Sequence, residues 1–254
     1  MRFSFFMSNF SAWAPGIESD TDWLAWAGQY FTPECLNDKG KPIKPALKDV
    51  PAMQRRRFSL ITRMAIECAL KTTAHLPKGC YLPNVFASPQ GEFPKTLSLL
   101  DSINLAEPLS PMGFGLSVHN TAAGLYSIHA GNQAPSSAIA AQQDTLLAAF
   151  TEAYLLSKAE NMPVLLVYAE EPLPEDWAQY RPYDVFPHAF ACWISHDALI
   201  QEGDGWRRLS VSTHNDDQSS KLSPSLDFLS WYFGGDEKGS FYGNTQRIDV
   251  AYDA

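Results

Sequence analysis

Hydrophobic and polar residues follow one another along the chain in patterns that predict strands and helices in alternation. The apolar run "PVLLVYA" at 163–169 predicts a strand covered on both faces. The stretch at 52–71, "AMQRRRFSLITRMAIECALK", has apolar residues at spacings of three and four, which predicts one continuous helix. Residues 137–141 predict a short strand that turns sharply into a helix at 144–160, with Asp144 placed to cap it. This alternation favours an α/β layered fold with a largely parallel sheet.

Other segments complete the pattern up to residue 131. Residues 1–9 predict a strand, and residues 21–30 predict a helix capped by Ser19 or Thr21. In that helix we expect Trp23, Leu24 and Trp26 to face inward. Residues 105–115 predict a loop, and the segment that follows is expected to begin extended and to become helical near Asn120.

The pattern changes after residue 170. Three stretches, "FPHAFACWISHD", "WRRLSVSTH" and "RIDVAYDA", predict strands separated by polar loops, with one short helix at 225–233. These strands would form an antiparallel extension of the first sheet.

Composition and charge narrow the classes of function. The chain has 254 residues, of which 45% are hydrophobic and 19% charged, as in a folded globular protein. A net charge of −9 argues against nucleic acid as a partner, because binding to phosphates requires a positive surface. No apolar run approaches bilayer length, so no membrane insertion is expected, and the N-terminal stretch predicts a strand better than a signal peptide.

The four cysteines are Cys35, Cys68, Cys80 and Cys192, and no two form a CxxC pair. This spacing favours free, mostly buried thiols in a reducing compartment over disulfides or a zinc site. We therefore expect a cytoplasmic protein without a metal.

Two charged clusters have both a functional and a structural interpretation. The run Arg55, Arg56 and Arg57 could bind an anion, but a solvated helix face with one internal ion pair is favoured. "STHNDD" brings His214, Asp216 and Asp217 together as a metal site might, although polar loops of this composition are common and metal binding is disfavoured.

Candidates for catalysis are few. Either His119 or His129 could act as a general base, but a buried, hydrogen-bonded structural histidine is favoured for both. The glycine-bearing stretches "MGFGL" and "WYFGGDEKG" match no phosphate-binding motif, and no Ser–His–Asp set can be assembled. The strand-to-helix corner at 141–144, of the kind that often carries a nucleophile, holds Gln142 and Gln143, and a carboxamide is not a nucleophile.

The segment "LSPMGFGLSVHNTAAGLYSIHAGNQAPSSAIAAQQDTLLAAFTEAYLL" resembles the β-ketoacyl synthases, the condensing enzymes of the thiolase fold. Those enzymes have an Asn before a small-residue helix, a turn, a buried strand, and a Cys that opens a long helix. The corresponding positions here are Asn120, residues 122–124, residues 134–135, residues 137–141 and Gln143. The nucleophile position falls on Gln143, or on Gln142 if the alignment slips by one residue.

The resemblance covers about residues 1–200 and has one large departure. The family's two histidine motifs, from its second half, do not appear in this chain. The resemblance implies a single thiolase-like domain at 1–254, mainly the N-terminal half of a condensing enzyme, with a divergent β-rich tail at 171–254. It is greatest to the shorter synthase-like proteins of polyunsaturated-acid and aryl-polyene pathways and to chain length factors, many of which have Gln in place of the Cys.

This resemblance implies a non-catalytic, chain length factor-like subunit without a cofactor. Such a subunit would pair with an active β-ketoacyl synthase, shape its acyl tunnel, and meet acyl carrier protein through that partner. The implied interface consists of Ser137, Ala138, Ile139, Ala140 and Ala141. Met112 and Phe114 would help set the depth of the tunnel, while His119 and Asn120 would be structural residues near the former catalytic position.

Half of a condensing-enzyme fold would also leave a hydrophobic face exposed, which a partner would bury. Two alternatives remain open at this point. One is a free-standing decarboxylase or thioesterase that acts on acyl-carrier-protein substrates through His119 or His129. The other is an acyl-binding module without catalysis.

Overall fold

The structure is a computed structural model that describes residues 1–196, 205–215, 218, 220–244 and 246–252. Within these residues, eight strands form one mixed sheet with helices on both faces. The strands are β1 (Arg2–Trp13), β2 (Asn84–Ala87), β3 (Ser136–Ile139), β4 (Val164–Glu170), β5 (His188–Ser195), β6 (Arg207–Asn215), β7 (Lys238–Tyr242) and β8 (Gln246–Tyr252). The helices are α1 (Asp20–Gln29), α2 (Ala52–Arg55), α3 (Leu60–Thr72), α4 (Phe93–Asn104), α5 (Pro111–Gly115), α6 (Thr121–Ala130), α7 (Thr145–Glu160) and α8 (Pro224–Gly234).

The order of strands in the sheet is β3-β2-β4-β5-β1-β6-β8-β7. Neighbouring strands are parallel only in the pairs β3–β2 and β2–β4, and every pairing from β4 towards β7 is antiparallel. The parallel sheet predicted from the strands before residue 170 is confirmed for β2, β3 and β4, whereas β1 has antiparallel neighbours on both sides. The antiparallel extension predicted for the residues after 170 is confirmed, and the N-terminal strand β1 lies between two strands of that extension.

Two hydrophobic layers enclose the sheet. Helices α3 and α6 pack on one face, with Met64, Cys68 and Tyr126 in the core. Helices α1, α7 and α8 pack on the other face, where Phe150 and Phe228 meet. All seven residues of β4 are buried, which confirms the strand predicted from the continuous apolar run.

The helix predicted over 52–71 is interrupted. Helix α2 ends at Arg55, and α3 begins only after Ser59, whose Oγ accepts a hydrogen bond from Thr62 N at 3.1 Å. Ser59 is thus an N-cap, and a capping hydroxyl in an extended backbone stops a helix from continuing towards the N-terminus. Phe58 is still buried, but in the connection rather than on a helix.

Two smaller expectations also need correction. In α1, Ser19 and Asp22 form the capping box and Trp23 and Trp26 are buried, but Leu24 is 56% exposed. One residue rotates about 100° around a helix, so Leu24 cannot share the inward face of both tryptophans. The segment at 105–115 is not wholly a loop, because it contains α5, which begins with Pro111 after the N-cap Ser110. The residues just before α6 form turns rather than an extended segment.

The C-terminal tail covers the long helix α7. The ring of Phe150 on α7 lies 5.3 Å from the rings of Phe5 on β1 and Phe228 on α8. Helix α8 of the tail therefore shares the hydrophobic layer of α7 on this face of the sheet. No helix in the part of the chain that the structure describes is long and apolar enough to cross a membrane.

Candidate functional site

The corner between β3 and α7 has the backbone of a strained strand-to-helix turn. Strand β3 ends at Ile139, and a 3-10 turn over Gln142–Asp144 leads directly into α7. Gln142 has a φ of +53°, in the left-handed region that L-residues with long side chains adopt at a cost. Of the two glutamines, Gln142 is thus the residue at the apex of the corner, and it is exposed, whereas Gln143 is half-buried.

The hydroxyl of Thr145 holds this corner closed. Its Oγ1 accepts a hydrogen bond from Ala141 N at 2.9 Å and donates one to Gln142 O at 2.6 Å. Thr145 is fully buried at the first position of α7. Sequence reasoning missed this residue, although a threonine directly after the 3-10 turn is a recognisable signal for side-chain to backbone hydrogen bonding.

The predicted cap, Asp144, has a different partner. Its side chain makes no capping hydrogen bond to α7, and Oδ1 instead accepts one from Asn244 N in the β7–β8 turn at 3.0 Å. The turn approaches so closely that a Cβ on Gly243 would lie 2.0 Å from Asp144 Oδ1. The tail thus contacts the N-terminus of α7 directly, and the carboxylate there opposes the positive end of the helix dipole.

No cysteine forms part of this corner, because all four lie elsewhere in the chain. Cys68 lies on α3 and Cys192 on β5, both fully buried, and burial raises the pKa of each thiol well above its usual range. Cys35 and Cys80 are half-buried outside the regular elements. All four are free thiols, as the sequence predicted.

The two candidate histidines lie at opposite ends of α6. His119 precedes the helix, and its Nε2 lies 2.8 Å from the carbonyl oxygen of Ser88, just after β2. His129 lies in the last turn and lines a separate cavity of about 320 Å³ together with Cys80 and Tyr126. The two histidines are ten positions apart, which corresponds to about 15 Å of helix, so they do not form one site. Asn120 is the N-cap residue of α6 but makes no side-chain capping bond.

A buried polar cluster that sequence reasoning missed lies at the end of β4. Glu170 Oε1 accepts a hydrogen bond from Tyr183 Oη at 2.7 Å, and Oε2 accepts one from Ser225 Oγ at 2.9 Å. His188 Nε2 lies 2.8 Å from the same hydroxyl oxygen. Burial raises the pKa of Glu170 and lowers that of His188 to about 4. These groups are paired with one another inside the core, so their arrangement is that of a structural network.

Two further carboxyl groups lie near the start of α4. Glu92 is 3% exposed, and its Oε1 accepts hydrogen bonds from Ser59 Oγ at 2.7 Å and from the hydroxyl of Thr62. Burial, together with the charge of Glu92, raises the pKa of Glu171 to about 7, although Lys44 opposes the shift. This acidic pair lies beside the ends of β2 and β4, near the corner.

The surface next to the corner is apolar and has a free sheet edge. Strand β3 is the edge strand, and its residues alternate between exposed and half-buried. On α5, Met112 is 51% and Phe114 is 62% exposed. Leu100 and Ile103 on α4 are more than half exposed as well. Exposed large apolar side chains concentrated in one region mark an interaction surface.

In the two charged clusters, the described residues Arg55 and His214 contact other groups of the protein. Arg55 donates hydrogen bonds to the carbonyl oxygens of Ala46 and Leu47, both at 3.2 Å, rather than to a carboxylate. His214 Nε2 lies 3.4 Å from Asp249 Oδ2, while Asp216 and Asp217 lie outside the described residues. Among the residues that the structure describes, no group of three or more His, Cys, Asp or Glu side chains could hold a metal ion.

Comparison with known structures places this fold beside ketosynthase complexes. A chain in the structure of the ketosynthase ApeO with its chain length factor ApeC, from Xenorhabdus doucetiae, superposes with a TM-score of 0.82 at 25% sequence identity. The match covers 98% of this chain and 99% of that one.

Two more distant structures share the fold at full length. A chain of the ishigamide ketosynthase/chain length factor has a TM-score of 0.73 at 12% identity, covering 98% of each chain. A chain of AntDE:AntF, a type II polyketide synthase acyl-carrier protein in complex with its ketosynthase, has a TM-score of 0.66 at 10% identity, covering 100% of each chain.

No curated protein matches the sequence significantly. The sequence model described as "Beta-ketoacyl synthase, N-terminal domain" matches residues 23–247, which is most of the chain. The mixed α/β sheet, the layers of helices on both faces and the corner between β3 and α7 agree with that match. The chain belongs to the β-ketoacyl synthase family, in which it corresponds to the N-terminal domain.

Proposed function

We propose that the chain is a non-catalytic, chain length factor-like subunit that pairs with an active β-ketoacyl-acyl-carrier-protein synthase. In that pair it stabilises the partner and shapes its acyl tunnel in polyketide or fatty-acid synthesis of the aryl-polyene type. The observation that carries the proposal is the corner itself, where the strained apex holds the carboxamide of Gln142 in place of a thiol.

Condensation by this family requires a thiolate at the corner and histidines that assist decarboxylation and stabilise the enolate. Neither Gln142 nor Gln143 can supply the nucleophile. His119 uses its Nε2 in a contact with a backbone carbonyl, and His129 lies at the far end of α6. This arrangement supports a role as scaffold, with the chemistry in the partner polypeptide.

The free edge of the sheet supports pairing through β3. Asn84 N donates to Pro135 O and Ser88 N donates to Ile139 O, so the odd-numbered residues of β3 face β2. In a strand the N–H and C=O groups of one residue point to the same side, so Ser136, Ala138 and Ala140 direct theirs outward. An exposed edge of this kind is a template for pairing with a strand of another chain.

The apolar surface beside this edge supports the role in the acyl tunnel. Met112 and Phe114 project from the five-residue helix α5 and are more than half exposed. Leu100 and Ile103 extend the same kind of surface on α4. A hydrophobic partner surface would bury these groups, and an alkyl chain in the partner's tunnel would meet the ends of Met112 and Phe114.

The similar structures agree with this assignment. The ApeO–ApeC and ishigamide structures each contain a ketosynthase with a chain length factor, and AntDE:AntF contains an acyl-carrier protein with its ketosynthase. By analogy, acyl carrier protein would reach this chain only through the ketosynthase. The proposal requires no cofactor.

Co-expression with a tagged ketosynthase of an aryl-polyene-type pathway tests the pairing. The wild-type chain is expected to co-purify in a 1:1 complex, and Ala138→Pro is expected to abolish this by removing an outward N–H from the free edge. Ala138→Thr, which keeps that N–H, is the matched control and should still pair. A wild-type chain that stays monomeric beside every ketosynthase tested would overturn the proposal.

A second measurement separates the two alternative functions. The purified chain is incubated with malonyl- and acyl-loaded carrier proteins, and we expect neither decarboxylation nor thioester hydrolysis. Turnover that disappears in His119→Ala or His129→Ala would instead establish a free-standing enzyme. Tight retention of acyl groups by the isolated chain would favour an acyl-binding module.

A further inference from the structure

We propose that His119 is a positioning residue that sets where Met112 and Phe114 enter the partner's acyl tunnel, and so determines product length indirectly. This inference rests on the proposed function. It assigns a role in specificity to a side chain that lies beneath the interface rather than in it.

His119 joins two parts of the chain that flank the corner. Its Nε2 lies 2.8 Å from Ser88 O, so that nitrogen carries the proton and donates. Ser88 N in turn donates to Ile139 O at the end of β3. The start of α6 is thereby held to the carboxyl ends of β2 and β3, next to the corner that Gln142 occupies.

Gly91 fits against the ring of His119. Gly91 has a φ of +55°, and a Cβ at this position would lie 2.6 Å from His119 Cδ2. Glycine is needed here both for the left-handed backbone and for the close approach of the ring. The loop between β2 and α4 thus leaves one position for the imidazole.

The same loop is held from its other side by Glu92. The carboxylate Oε1 accepts hydrogen bonds from Ser59 and Thr62 at the start of α3. Its Oε2 is buried and has no hydrogen-bond partner among the described residues. Glu92 and His119 both line a small cavity of about 20 Å³, which has room for one bridging water. The loop between β2 and α4, against which His119 packs, is therefore fixed to α3 as well as to the sheet.

The position of helix α5 depends on this loop and on His119, because the helix itself has only one short turn. Thr96 Oγ1 on α4 donates to Ser117 O at 3.4 Å, and Ser117 Oγ donates to Phe114 O at 2.8 Å. His119 follows Ser117 by two residues. A five-residue helix with exposed side chains takes its position from the attachments at its ends, and the half-buried His119 is an attachment on the C-terminal side.

The test uses the ketosynthase complex and measures the distribution of product chain lengths. His119→Leu removes the donor to Ser88 O and should shift the main product by at least one two-carbon unit. His119→Gln, which offers an Nε2 donor at a similar distance, should restore the wild-type product. Gly91→Ala pushes against the ring and should shift the product in the same direction as His119→Leu.

The variants Phe114→Ala and Met112→Ala change the proposed tunnel residues themselves. They distinguish a failure of the inference about His119 from a failure of the proposed function. If these change the product while all His119 and Gly91 variants leave it unchanged, the inference is wrong and the proposed function stands. If they do not change it, the proposed tunnel role itself fails. If every His119 and Gly91 variant, including His119→Gln, fails to pair with the ketosynthase, the role of His119 is purely structural. That result would also overturn the inference.

Discussion

Glu170 Oε2 and His188 Nε2 meet at one hydroxyl group, Ser225 Oγ, at distances of 2.9 and 2.8 Å. The two residues are directly paired across β4 and β5, and Ser225 lies in the first turn of α8. Tyr183 adds a further hydrogen bond to Glu170. This network attaches the C-terminal tail to the centre of the sheet. Without these hydrogen bonds, a carboxyl group and an imidazole would lie in the core without partners.

The first prediction concerns acid stability through His188. Burial lowers the pKa of His188 from 6.5 to about 4 in the folded chain. As the pH falls from about 6.5 to about 4, the unfolded chain binds a proton that the folded chain does not. The contribution of His188 to the free energy of unfolding should therefore decrease over that window, by roughly 3 kcal/mol at most, whereas the raised pKa values of Glu171 (about 7) and Asp227 (about 6) act in the opposite sense. Urea unfolding at several pH values measures this slope.

The control for this prediction must separate His188 from Glu170. Burial raises the pKa of Glu170, so its contribution to stability has the opposite sign and is lost as the pH rises through the folded value. The slope assigned to His188 should disappear in His188→Gln and persist in His75→Gln, which alters an exposed histidine. An unchanged slope in His188→Gln would contradict the prediction.

The second prediction concerns the two hydrogen bonds by which Thr145 holds the corner between β3 and α7. Thr145→Val keeps the shape of the side chain but removes both hydrogen bonds of Oγ1, leaving the half-buried Ala141 N without its acceptor. We expect a loss of about 1–3 kcal/mol in the free energy of unfolding. Thr151→Val on the same helix removes only a hydrogen bond to Leu147 O in the preceding turn and should cost far less. Equal costs would refute the role of Thr145.

The third prediction concerns the electrostatics of the corner. A thiol placed at the apex by Gln142→Cys should not acquire the lowered pKa typical of a helix N-terminus, because the carboxylate of Asp144 lies there. Adding Asp144→Asn should lower the pKa of that thiol by up to about one unit, since it removes the negative charge. The pH dependence of iodoacetamide labelling, followed by mass spectrometry of the peptide, measures both values. Identical profiles would show that Asp144 has no influence.

The fourth prediction concerns the contact between the tail and α7. Gly243→Ala would bring a methyl group against Asp144 Oδ1 and should destabilise the fold by about 1–3 kcal/mol. In an Asp144→Ala background the same change should cost less, because the opposing carboxylate is gone. Gly28→Ala is the matched control: Gly28 lies within α1 with open space around it, so that change should be neutral or stabilising. Full additivity of the first two changes would exclude the contact.

Much of the local structure was predictable from periodicity. The buried strand β4, the corner and the long helix α7 were located to within a few residues, because each depends on a pattern contained in its own segment. The buried tryptophan pair of α1 followed for the same reason. The break between α2 and α3 shows the limit, since the apolar spacing continued through Phe58 while the helical backbone did not.

Contacts between distant segments were not predictable in this way. His188 interrupts one apolar stretch, and Glu170 ends another. Neither stretch indicates that these two residues meet, or that both contact Ser225, which lies 55 residues beyond Glu170. The approach of Gly243 to Asp144 spans about 100 residues of chain. The parallel or antiparallel sense of a pairing also depends on the path of the chain between the strands, which periodicity does not report.

The central position of β1 in the sheet has a consequence for how the chain folds during its synthesis on the ribosome. Strand β1 is synthesised well before its two neighbours in the sheet, β5 and β6, and Met1 N donates to Thr213 Oγ1 across 212 residues. Most of the polypeptide must therefore emerge before the N-terminal segment finds its neighbours, so folding is governed by late, non-local closure. During that interval nascent chains need protection from aggregation, and synthesis alongside a binding subunit would shorten their exposure.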